Sequence, residues 1–211
     1  MKPITLTLSL IALAFSSSSF AISDAAKTLQ QQWAIAKYQT AEKQREAAFE
    51  KLAAQAKQAE QHAPNNAEVL VWEAIILSTY AGEKGGLGAL GLVKDAKTLL
   101  EKAAQIDGKV LNGSAYTSLG SLYYQVPGWP IAFGSDKTAE KYLLKGLKIA
   151  PDDIDANYFY GDFLVEDGQY KKAVSVLNKA LNAPARPGRE VADAGRRAEI
   201  EAVLSKAKRK L

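Results

Sequence analysis

Two stretches of the chain lie over one another at a fixed offset. Tyr116, Leu119, Gly120 and Tyr123 recur as Asn157, Tyr160, Gly161 and Leu164. Ala139, Leu143 and Gly146, closed by Pro151, recur as Ala173, Leu177 and Ala180. Tyr160 and Leu164 are four apart and share one helix face, and Ala173, Leu177 and Ala180 follow at steps of four and three on a second, so the repeated unit is a pair of helices. Gly161 and Ala173 are expected where the two helices cross, because a close-packed crossing has no room for a larger side chain. Gly168 permits the sharp turn before the second helix, and Pro184 after Asn182 stops it.

This pattern resembles the tetratricopeptide repeat (TPR), a unit of about 34 residues whose two helices pack through small residues and stack on the next unit. A third copy lies upstream as Leu70, Ala74 and Leu77 followed by Ala96, Leu100 and Ala103, with Glu73 where an apolar residue is usual and Gly108 where the closing proline is usual. Before it, Ser23 to Tyr38, anchored by Trp33 and Tyr38, and Phe49 to Gln61 read as two further helices. The resemblance implies an all-α fold, a TPR-like α-solenoid of antiparallel helix hairpins. It divides into an N-terminal cap or degenerate repeat (22–64), repeats at 65–108, 113–151 and 154–184, and a C-terminal capping helix (188–211).

Ahead of these lies a leader pattern. Lys2 is followed by an apolar run from Ile4 to Phe15 and then by Ser19-Phe20-Ala21, which has small residues at the two positions a signal peptidase reads. The run is too short to span a bilayer. A cleaved signal peptide over 1–21 is expected, and hence export to the periplasm, with secretion as the lesser option. The chain has no cysteine, so neither a lipobox lipid nor a disulfide is expected.

From Arg186 onward eight basic residues stand against four acids. That tail either docks on an anionic surface or covers the end of the last repeat with Val191, Ala194, Ala198, Leu204, Ala207 and Leu211 while its cations stay in water. A solenoid end needs covering, which favours the cap and no stable membrane anchor. Nucleic acid is not an expected partner of near-neutral repeats.

Relative to the repeat pattern, about ten extra residues lie between Leu77 and Ala96 and about seven between Tyr123 and Ala139. They are expected as two long loops, Ala81 to Val93 and Gln125 to Ser135. Leu87, Leu90, Leu92, Trp129, Ile131 and Phe133 on them form a candidate partner-binding or self-association edge. The alternative is that the loops fold back and fill gaps in the solenoid's side. The resemblance implies a second candidate, the concave groove lined by the first helix of each repeat: Val71, Ile75 and Thr79, then Thr117, Ser121 and Tyr124, then Tyr158, Asp162 and Glu166. It lacks the lysine and asparagine clamp some TPR proteins use for carboxylates.

Little material for catalysis is present. Gly86 to Gly91 satisfies GxGxxG but follows a helix and lies in no strand-helix-strand unit. His62 is the single histidine, placed to complement a helix dipole, so the usual zinc sets and nucleophilic triads have no obvious members. Asp152 and Asp153 follow Pro151 at a helix start, where acids serve as caps. No enzyme, cofactor or metal is expected. The reading is a periplasmic scaffold that binds a protein or peptide. The alternative is a ligand-handling accessory of a transport system, as the TRAP transporter T-component is also a periplasmic TPR-like protein.

Overall fold

The computed structural model describes residues 22–211, and the expected signal peptide lies outside them. Nine α-helices occur among the described residues: α1 Asp24–Tyr38, α2 Glu42–His62, α3 Ala67–Lys84, α4 Ala89–Ile106, α5 Val110–Gln125, α6 Asp136–Ile149, α7 Ile154–Glu166, α8 Tyr170–Leu181 and α9 Glu190–Lys208. α1, α3, α5 and α7 pack side by side as an inner layer. Each of α2, α4, α6 and α8 packs on its hairpin partner and on the helix that follows it.

The sequence explains which layer each helix joins. α6 and α8 bury narrow stripes, Ala139, Leu143 and Gly146 in one and Ala173, Leu177 and Ala180 in the other, as expected of helices with one side in water. α3 is apolar nearly all round and buries residues from Ala67 to Ala81, because it has neighbours on several sides. Asn66, Ser135 and Asp153 cap α3, α6 and α7 by accepting from backbone N–H groups of the first turn. The crossings depend on glycine. A Cβ on Gly120 or Gly161 would lie 2.6 Å from Leu143 or Leu177 of the opposing helix, so each hairpin closes only on a hydrogen.

Two expectations are corrected here. Ala81 to Val93 is not a loop: α3 continues to Lys84, α4 begins at Ala89, and a short turn joins them. Ala81 and Val93 are buried in the seam of the two lengthened helices, and this packing outweighs the poor helix propensity of Gly82 and Gly91. The C-terminal helix does more than cover an end. Ile200, Leu204 and Ala207 of α9 pack on α7 and α8, but Ala192 joins the core of Trp33, Phe49 and Trp72 at the other end of the chain. Gly195 lies against the ring of Tyr38, so α9 reaches α1 and closes the solenoid into a ring.

Candidate functional site

Closing the ring encloses a cavity of about 400 Å³ on the concave side, bordered by α1, α3, α5, α7 and α9. One wall is aromatic. Trp33 donates from Nε1 to Thr79 Oγ1 at 2.9 Å and lies with its ring centre 5.9 Å from that of Trp72 and 5.7 Å from that of Tyr38. Tyr158 and Phe159 of α7 continue this wall beneath the guanidinium of Arg196, 4.3 and 4.8 Å from their ring centres. Between α3 and α7, α5 contributes a column of hydroxyls and amides: Ser114, Thr117, Ser118, Ser121 and Gln125, with Asn112 at its start. Leu111, Asn112 and Gly113 have left-handed backbones (φ 46°, 59° and 78°), a kink that sets Asn112 apart from the regular helix.

The third wall is ionic. Arg196 donates from Nε to Asp155 Oδ1 at 2.7 Å and from Nη1 to Glu199 Oε2 at 2.6 Å. Just behind the cavity, Arg186 reaches Asp155 Oδ2 at 2.7 Å and Asp193 Oδ1 at 2.6 Å. Tyr38 donates its hydroxyl to Glu199 at 3.1 Å, which ties α1 to α9. Burial alone would raise the Asp155 carboxyl, but Arg196 and Arg186 hold it well below the usual range. Burial works against the charge of Arg196 too, and Asp155, Tyr38, Glu199 and Tyr158 together more than offset it. Burial pushes the phenols of Tyr38 and Tyr158 well above theirs, so both stay protonated.

One corner is unfinished. Arg189 lies over Trp72, 5.5 Å from the ring centre, and its Nε has no hydrogen-bond partner among the described residues. Its nearest carboxylate oxygen is Asp155 Oδ2, at 3.9 Å from Nη2. Trp72 is 3% exposed, and its Nε1 is also without a partner.

Of the residues expected in the groove, Ile75, Thr79, Thr117, Ser121 and Tyr158 line this cavity. Val71 does not: it is fully buried with Leu70, Leu100 and Leu119 between α3 and its neighbours, because an inner helix with neighbours on both sides has little free face. Tyr124, Asp162 and Glu166 are not among the lining residues either. Tyr124 donates to Asp162 at 2.7 Å, and Glu166 pairs with Lys206 of α9 at 2.7 Å.

On the loop edge, Leu87 (85%), Trp129 (89%) and Ile131 (60%) are exposed. Leu92 and Phe133 are partly buried against the core, Leu90 is half-buried, and Phe133 packs edge-on to Tyr123 at 5.3 Å. The second insertion thus splits, with one end folded back and the tip in solvent.

The cations expected in water are in part inside the molecule. Arg186 and Arg196 are paired in the ionic wall, and Arg197 donates to the carbonyls of Leu181 and Ala183. His62 is exposed, on the last turn of α2, against the carbonyl of Gln58. Among the described residues no group of three metal-ligating side chains converges, and no helix is long and apolar enough to cross a membrane.

The hairpins repeat the TPR arrangement, and the family model described as the tetratricopeptide repeat matches residues 154–185, which hold α7 and α8. Among solved structures, MamA from Desulfovibrio magneticus RS-1 is similar at 19% identity, covering 90% of this chain and 93% of that one with a TM-score of 0.47. YrrB, described as a TPR protein with an unusual peptide-binding site, is 18% identical over 90% and 93%, with a TM-score of 0.43. TTC0263, a thermophilic TPR protein of Thermus thermophilus, is 14% identical over 83% and 99%, with a TM-score of 0.42. No curated protein matches the chain significantly.

Proposed function

We propose that this chain is a non-enzymatic periplasmic scaffold that binds a segment of a partner protein of the cell envelope in its concave cavity. The observation that carries the reading is the cavity itself. Its volume of about 400 Å³ falls within the roughly 300–1,000 Å³ common for ligand pockets. Its lining suits a segment that offers both apolar and hydrogen-bonding groups: the rings of Trp33, Trp72 and Tyr158 together with Ser118, Ser121 and Gln125. The export half of the proposal rests on the leader pattern of Lys2, Ile4 to Phe15 and Ala21.

The enclosure of the cavity by α9 also favours a second reading, a ligand-handling accessory of a transport system whose cargo is a small molecule. The test is retention of a random heptapeptide library on the immobilised protein. Retention should be lost in Ser118→Phe, which fills the cavity, and kept in Trp129→Ser, which trims the edge, with thermal melts confirming that both variants fold. Retention that survives Ser118→Phe and disappears in Trp129→Ser would move the binding surface to the loop edge.

A further inference from the structure

We propose that Arg189 is a carboxylate receptor, so that whatever occupies the cavity is anchored by a carboxylate at the Trp72 corner. The inference rests on the cavity being the binding site and adds the chemistry of its occupant.

An arginine carries five N–H donors and stays charged in proteins. A buried guanidinium left without acceptors is costly, so native chains rarely keep one idle. The carboxylates near Arg189 are already engaged. Asp155 gives one oxygen to Arg186 and the other to Arg196, each at 2.7 Å. Asp193 accepts from Arg186, Glu199 accepts from Arg196 and Tyr38, and Asp153 caps α7 through Ala156 N–H. Among the described cations that line the cavity, Lys37 and Arg196 have carboxylate hydrogen bonds and Arg189 has none.

Its position is nonetheless fixed. The face of Trp72 supports the guanidinium, an arrangement that holds an arginine flat and leaves its edge for an incoming planar group. A guanidinium that lines the cavity, lies flat on a ring and has its nearest carboxylate oxygen at 3.9 Å calls for a planar acceptor with two oxygens and one negative charge, which is a carboxylate. A dianion such as phosphate fits less well, because Asp153, Asp155 and Glu199 also border the cavity and would repel a second charge.

A carboxylate of this kind comes either from the end of a peptide or from a small free acid, and one titration separates them. In a Trp129→Phe background, fluorescence reports Trp33 and Trp72, both in the cavity wall. The probes are an N-acetylated random heptapeptide pool without Asp or Glu, as free acid and as C-terminal amide, together with N-acetylphenylalanine and its amide. The free acid of the preferred size should bind about tenfold more tightly than its amide, or better. Arg189→Gln should abolish that preference and Arg189→Lys should keep part of it, with melting curves showing that both variants fold.

Preference in the heptapeptides identifies a peptide terminus, and preference only in the small pair identifies a free acid. Equal binding of acid and amide, or a preference untouched by Arg189→Gln, overturns the carboxylate assignment and leaves the cavity reading standing. Absence of binding by every probe overturns both.

Discussion

Arg196 on α9 and Arg189 at the N-cap of that helix sit at two corners of one cavity, in unlike surroundings. The Arg196 corner is complete: its guanidinium meets Asp155 and Glu199 at 2.7 and 2.6 Å and covers Tyr158. The Arg189 corner has a cation over an aromatic ring, a single carboxylate no nearer than 3.9 Å, and an Nε and a Trp72 Nε1 without hydrogen-bond partners. The difference separates what closes the ring from what the closed ring can hold. A charge hydrogen-bonded to carboxylates at the α7–α9 contact is structural, whereas a charge kept in a cavity wall without hydrogen-bonded acceptors costs stability and is explained by a ligand.

The comparison is broken most forcefully at its saturated end. Arg196→Met leaves Asp155 and Glu199 short of a cation in the interior, and breaking a buried pair from one side costs about 3–5 kcal/mol. Urea denaturation should show a loss of that size, together with release of α9 from α1 in hydrogen exchange. A loss below about 1 kcal/mol would mean that the ionic wall does not hold the ring shut.

The next effect applies the same rule outside the cavity. Glu73 is 3% exposed, its Oε2 has no partner, and burial raises its carboxyl to about 7. Because the folded pKa lies above the unfolded one, the folded state binds the extra proton between about pH 4.5 and 7. Stability from this group is therefore full below the unfolded pKa and falls as pH rises, by about 3 kcal/mol across that window. Glu73→Gln should remove this slope, seen as a difference between the two denaturation midpoints that grows from about pH 5 to about pH 7.5. Parallel curves would show that Glu73 is solvated or paired.

Smaller still is the effect at the unfinished corner. Arg189→Met should raise stability, by up to about 1 kcal/mol, because burial already disfavours its charge and no hydrogen bond reaches its Nε. A loss comparable to that of Arg196→Met would assign Arg189 to the structural set. The smallest expected change is at the loop tip, where Trp129→Ser, at an 89% exposed position, should leave the melting temperature unchanged.

Sequence reading succeeds where packing is local and fails where it is distant. Tyr160, Gly161, Ala173 and Leu177 announce a helix crossing because helical period and residue size suffice to define it, and Gly161 does meet Leu177. Gly82 to Gly91 read as a loop because glycine content is a local signal, while the buried seam at Ala81 and Val93 is not. Val71 falls in the groove by the repeat's ordinary geometry, which takes no account of how tightly its neighbours close around α3.

The ionic wall is out of reach for another reason. Asp155 lies 31 and 41 residues from its arginines, and Tyr38 lies 161 residues from Glu199, so no periodicity connects them. The hints available are Trp33 and Tyr38, which read as anchors without a visible partner, and the surplus of cations after Arg186.

The most direct test of the central claim, that the concave cavity and not the loop edge is the binding surface, is photocrosslinking in living cells from two positions. One probe replaces Gln125 at the cavity wall and the other replaces Trp129 at the loop tip. The account predicts a discrete protein or peptide adduct from Gln125 that weakens in Arg189→Gln, and none from Trp129. An adduct from Trp129 that ignores Arg189, with nothing captured at Gln125, would contradict it.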